Sequence, residues 1–149
     1  MISKNILILP SLFIILLSEK IEINNDDFLG YTSVLEIQDP KLKQSIAQGK
    51  KVYTTYCASC HQTTGKGVAR VFPPLAQSDF LQNREESIRV VKYGQSGKVT
   101  VNGKVYNSAM SPMGLNDEQV ADVMNYIFNS WGNKNDNIVT VQEVASVAK

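Results

Sequence analysis

The chain has 149 residues, enough for one domain around a single hydrophobic core. Its 15 basic and 14 acidic residues leave a net charge of +1, which excludes a general electrostatic attraction to nucleic acid or to an anionic membrane surface. With two cysteines and one histidine in all, the chain has no second Cys or His set to complete a zinc site.

The N-terminus differs from the rest of the chain. Lys4 gives a short positive start, and Ile6 to Leu17 is an almost wholly apolar run. That run is shorter than the ~20 residues a helix needs to span a bilayer, and it fits the apolar region of a secretory signal. Ser18, Glu19 and Lys20 come next, without a pair of small residues that would mark cleavage, so an uncleaved membrane anchor is the alternative. No cysteine comes after the run in this region, which excludes a lipid anchor on cysteine. Both readings place the remainder outside the cytoplasm, in the periplasm. Residues 1–20 are thus assigned to a signal or anchor. Residues 21–38, polar and carrying Asp26-Asp27 and Gly30-Tyr31, are assigned to a linker.

Asp39-Pro40 reads as an N-cap followed by proline in the first helical position. The helix is expected to continue through Leu42, Ile46, Gly49 and Tyr53 to Cys57, its apolar residues recurring at steps of three and four. Glycine inside a helix costs about 1 kcal/mol relative to alanine, so Gly49 implies close approach of another helix.

Residues 57–61 then read Cys57-Ala58-Ser59-Cys60-His61 and hold every cysteine and histidine of the chain. Cys-x-x-Cys-His is the attachment pattern of c-type haem. Two thiols three residues apart can add across the two vinyl groups from one short turn, and the next residue delivers an imidazole to the iron. The other readings are a buried disulfide, half of a zinc site, or a thioredoxin-type redox pair. The last would start a helix after a strand, whereas these cysteines end a helical stretch.

A polar turn, Gln62 to Gly67, leads to Phe72-Pro73-Pro74-Leu75, a segment stiffened by proline. A ligating histidine usually donates its second N–H to a carbonyl or carboxylate, and a carbonyl of this segment is a candidate. Ser78 or Asp79 opens a short helix, and a further helix is expected from Arg84 to Tyr93, ending before Gly94. Val99 to Tyr106 suggests a small hairpin about Asn102-Gly103. The loop Asn107 to Gly114 carries Met110 and Met113. Asn116, with Gln119 three residues on, resembles a capping box. It opens a helix whose apolar stripe runs Val120, Val123, Met124, Ile127, Phe128 and Trp131, closed by Gly132. Residues 134–149 are expected to form a tail with a weak helical patch from Gln142 to Val147.

If His61 takes one axial position of an iron, methionine, lysine, an N-terminal amine or nothing takes the other. A thioether from Met110 or Met113 would favour ferrous iron and raise the potential. Met124, on the helical stripe, reads as core. Arg70, Lys104 and Tyr106 are candidate contacts for haem propionates.

The helix with Gly49 and Tyr53, the Cys57–His61 run, Phe72-Pro73-Pro74-Leu75, the methionine loop and the last helix together resemble a class I cytochrome c over about residues 41–132. The resemblance implies an all-α domain, residues 39–133, of three to five helices wrapped around one haem c bound through Cys57 and Cys60. In that family a proline carbonyl accepts from the haem histidine, which places Pro73, with Leu75 beside it, at the cofactor. It also implies that Gly49 and Tyr53 meet Val123 and Tyr126 where the terminal helices cross. The distal ligand falls on Met110, although Ser111 stands where proline is often found and Pro112 comes one place late, so Met113 stays open. The stretches from Val99 to Met110, from Asn129 to Asn133 and from Ile138 to Val144 resemble cytochrome c domains associated with copper nitrite reductases and respiratory oxidases.

The function implied is single-electron transfer between redox protein partners, by a monomer or small subunit, without catalysis in this chain and with no nucleic acid partner. A membrane is involved only if the N-terminal segment is retained. The alternatives are an electron-entry subunit of a larger periplasmic oxidoreductase, such as a nitrite reductase, and a five-coordinate haem sensor or enzyme.

Overall fold

In the computed structural model, which describes residues 39–149, helix α1 (Pro40–Tyr56) starts as its sequence dictates. The Asp39 side chain accepts from the Lys41 N–H at 2.9 Å, and Pro40 occupies the first turn. The expected signal or anchor and the linker lie outside the described residues. Among the described residues, no helix is long and apolar enough to cross a membrane.

The chain then forms α2 (Ala58–His61), a 3₁₀ turn at Asp79–Gln82, α3 (Arg84–Tyr93), a hairpin of β1 (Val99–Val101) and β2 (Lys104–Tyr106), α4 (Asp117–Phe128) and α5 (Val141–Ser146). The architecture is that of an all-α domain with one short antiparallel ribbon. Val99 pairs with Tyr106 and Val101 with Lys104. The ribbon turns through Asn102 and Gly103, both at positive φ, as an Asn-Gly hairpin turn requires.

Helix α4 is the centre of the core. Asn116 caps it, accepting from the Gln119 N–H at 2.8 Å while the Gln119 side chain accepts from the Asn116 N–H at 3.1 Å. Val120, Val123, Met124, Ile127 and Phe128 are all buried. Helix α1 packs across α4 with Gly49 at the crossing, where its α-carbon faces the Asp122 carbonyl and Tyr126 Cβ. Tyr53 and Tyr126 lie with ring centroids 5.3 Å apart, and Val123 shares the core with Tyr53. The crossing therefore uses the residues expected for it.

Two outcomes differ from the expectations. Helix α4 ends at Phe128 with Asn129 as its cap, not at Trp131 before Gly132. The Asn129 amide donates to the Asn125 carbonyl at 2.9 Å and the Ser130 hydroxyl to the Tyr126 carbonyl at 2.6 Å. These side chains compete with the backbone ladder, as short polar side chains do. Trp131 then turns into the left-handed region at φ 53°. That turn brings its ring to 4.9 Å from Tyr53 and 5.3 Å from Tyr126, and its indole N–H donates to the Thr63 carbonyl at 3.1 Å. Each such ring pair adds about 0.5–1.5 kcal/mol beyond burial.

The second difference is the C-terminal stretch. Its helix, α5, falls close to the expected patch, but the stretch is part of the core. Val139, Val144 and Val147 are buried. Asn125, itself buried, donates to the Val139 carbonyl at 2.9 Å and accepts from the Val139 N–H at 2.7 Å. Arg84 holds Glu143 in a two-pronged ion pair and donates to the Asn137 and Ile138 carbonyls.

Candidate functional site

The Cys57–His61 run sits where α1 gives way to α2. The Cys57 N–H still donates to the Tyr53 carbonyl at 2.9 Å, and the Cys57 carbonyl accepts from the N–H groups of Cys60 and His61. One helical turn therefore spans the run. Positions three and four apart on a turn share a face, so Cys57, Cys60 and His61 all line the same cavity. No disulfide joins the two cysteines. Burial, with a smaller contribution from Cys60, pushes the Cys57 thiol up to about 11. The two cysteines follow helix α1 directly rather than a strand, which is not the thioredoxin-type arrangement. Nor do His, Cys, Asp and Glu residues cluster as a metal site would require among the described residues.

His61 is fixed by the loop after it. Its Nδ1 lies 3.0 Å from the Pro73 carbonyl oxygen. A carbonyl can only accept, so Nδ1 carries the proton and Nε2 is the nitrogen left for a ligand. Burial holds the imidazole below its ordinary pKa, with the Pro73 bond acting in the opposite sense; the neutral, ligating form is the one favoured. The loop is closed by Gly67 N–H donating to the His61 carbonyl at 2.9 Å and Leu75 N–H to the Gly65 carbonyl at 2.7 Å. Gly67, at φ 63°, passes so near Pro73 that a Cβ there would lie 2.5 Å from the proline carbonyl oxygen. Trp131 rests on Gly65 from the other side, where a Cβ would meet the indole at 2.5 Å.

The cavity measures about 380 Å³, within the range of small-molecule and cofactor sites. Besides the Cys57–His61 face its walls include Phe72, Pro73, Leu75, Phe80, Val90, Val101 and Ile127. Met110 and Met113 both reach it, as does Met124 from the buried stripe of α4. Of the propionate candidates, Tyr106 lines the cavity, while Arg70 and Lys104 do not. Among the described residues, no Asp, Glu, Lys or Arg lines the cavity.

Two cysteines on one turn, an imidazole with one nitrogen committed, nearby thioethers and an apolar cavity fit a covalently attached haem. Sequence reasoning missed Gln95 and Ser108 among the cavity's lining on the methionine side. Gln95 pairs with Met110 through the backbone in both directions, a contact between distant segments that no local pattern signals.

A family model described as Cytochrome c matches residues 46–131. The chain is similar to cytochrome c-552 of Thermus thermophilus, at 42% identity over 92 residues, covering 58% of this chain and 70% of that protein. It is also similar to the cytochrome c subunit of the quinone alcohol dehydrogenase of Gluconacetobacter polyoxogenes, at 35% identity over 104 residues, 66% of this chain and 22% of that subunit. The gluconate 2-dehydrogenase cytochrome c subunit of Pantoea cypripedii is 34% identical over 105 residues, 68% of this chain and 24% of that subunit. The match thus spans only about a quarter or less of those two subunits.

Proposed function

The chain belongs to the cytochrome c family and is an electron carrier with one covalently bound haem c; we propose that it works in the periplasm and that His61 and Met110 would hold the haem iron. When bound, the haem supplies a one-electron ferric–ferrous couple. Cys57 and Cys60 anchor it, and the Pro73 carbonyl orients His61. Met110 offers the soft, neutral ligand that raises the potential, and the apolar walls with Leu75 exclude water.

The observation that carries this reading is the cavity itself. It gathers both thiols, His61 and the methionine loop, and among the described residues no charged side chain lines it to act as a distal acid or base. Peroxidase-type or sensing chemistry would call for an open iron face beside such a group. Export is supported by the apolar run Ile6 to Leu17, since haem c is attached after export. The partners are redox proteins. The likeness to dehydrogenase cytochrome subunits favours, as a second form of the same task, electron entry or exit within a larger oxidoreductase. A nitrite reductase, as the sequence resemblance implies, is another partner of that kind.

The test is a spectroelectrochemical titration of the haem-loaded protein recovered from the periplasm, with carbon monoxide then added to the reduced form. A single reversible one-electron transition and a spectrum unmoved by carbon monoxide are expected. Rapid carbon monoxide binding would put the five-coordinate sensor or enzyme in its place.

A further inference from the structure

We propose that a backbone clip between Gln95 and Met110, seated on Gly94, selects Met110 over Met113 as the iron ligand and holds it in place; the clip rests on the proposed His61/methionine ligation. Gln95 N–H donates to the Met110 carbonyl at 2.8 Å, and Met110 N–H donates to the Gln95 carbonyl at 2.8 Å. Two bonds between the same two residues form the closely spaced pair of an antiparallel ladder, here as an isolated bridge.

The clip is anchored on the helix side. Gly94 ends α3 at φ 83°, its N–H donating to the Val90 carbonyl at 2.9 Å. The methionine loop lies directly on its α-carbon: a Cβ there would sit 2.5 Å from the Met110 carbonyl oxygen and 3.0 Å from Pro112 Cδ. The Gln95 side chain accepts from Arg89 at 3.1 Å. Helix α3 is tied in turn to the start of α4 by Lys92 and Asp117, 3.1 Å apart.

Met113 lies in the other half of the loop. It comes after Pro112, which has no N–H to give, and precedes Gly114, which has positive φ but nothing within 4 Å of a Cβ position. Both methionines reach the cavity, so reach does not separate them. What separates them is that Met110's backbone is already ordered, and a ligand whose backbone is fixed loses less entropy each time its bond to iron re-forms.

Gly94→Ala and Gly114→Ala make a matched pair, because each places a Cβ on a residue at positive φ but only the first would strike Met110 and Pro112, while the second meets nothing within 4 Å. The readout is the near-red methionine–ferric band of the haem-loaded protein and its displacement by added imidazole, with helix content monitored by circular dichroism. In Gly94→Ala, imidazole is expected to displace methionine at roughly tenfold lower concentration, the scale of one residue's backbone ordering, with helix content kept. In Gly114→Ala the imidazole dependence is expected to stay that of wild type. Equal effects in the two variants, or a larger one in Gly114→Ala, would overturn the clip.

If Gly94→Ala does not load haem, amide exchange in the wild-type holoprotein decides instead. Slow exchange at both Gln95 and Met110 is expected, and fast exchange at either contradicts the proposal. Absence of the methionine band from wild type itself is a separate outcome, and defeats the His61/methionine reading on which the clip depends.

Discussion

Deleting residues 134–149 is expected to lower the stability of the haem-loaded protein by at least ~4 kcal/mol, the contribution of three buried valines after allowing for burial in the unfolded chain. Val139, Val144 and Val147 are exposed by only 2%, 0% and 5%. Their loss uncovers part of α4, where Asn125 bonds both Val139 and Ser45 of α1. The deletion also strands Arg84, which is half-buried over the Phe128 ring at 5.5 Å and loses Glu143 together with the Asn137 and Ile138 carbonyls. Lys92 loses the Val144 carbonyl at 2.8 Å, and the Tyr93 hydroxyl loses that of Val147 at 3.0 Å. Against a total stability of about 5–15 kcal/mol, this is a large fraction. A fall in Tm of ~15 °C or more is expected by differential scanning calorimetry. A truncated protein melting within a few degrees of the full chain would show that the stretch is an appendage.

Gly49→Ala is expected to destabilise the protein even though it improves helix propensity by about 1 kcal/mol. The new Cβ would overlap the Asp122 carbonyl oxygen, lie 2.5 Å from its carbon, and stand 2.9 Å from Tyr126 Cβ. Two of those three atoms belong to the α4 backbone and cannot rotate away, so the helices must separate. Overpacking of this kind typically costs 1–3 kcal/mol and occasionally more. Here the contact is with backbone, and a net loss of about 2 kcal/mol is expected in urea unfolding. The effect should extend to the haem, because Met124 and Ile127 of α4 line the cavity. An unchanged or raised urea midpoint would mean that α1 and α4 do not cross through Gly49.

The sequence was most legible where chemistry or capping fixes the spacing. Cys57, Cys60 and His61 must fall on one turn to serve one haem, and they do. Asp39 with Pro40, and Asn116 with Gln119, start helices because their side chains satisfy N–H groups that have no other partner. Gly49 announced a helix crossing because nothing else accounts for its cost within α1. The end of α4 was not legible, because the apolar period continues to Trp131 while Asn129 and Ser130 turn the backbone out of the helix two residues earlier. The Trp131 ring is in the core's aromatic cluster as the period suggests, but it arrives there from a left-handed turn.

The C-terminal stretch was underestimated for a different reason. Its buried valines are few and separated by polar residues, and its partners Arg84, Lys92 and Asn125 lie in other elements. Periodicity within a segment reports the face that segment buries, and it is silent on pairing with elements 14 to 59 residues away in the chain. The choice between Met110 and Met113 has the same character. It turns on the bridge to Gln95, which a single loop read in isolation does not contain.

The most direct test of a His61/Met110 haem c is the ferric optical spectrum of the haem-loaded protein, wild type beside Met110→Ala. A near-red methionine–ferric band in wild type that disappears in Met110→Ala is the predicted result. A band that persists in Met110→Ala would place Met113 on the iron, and its absence from wild type would leave His61 without a methionine opposite it.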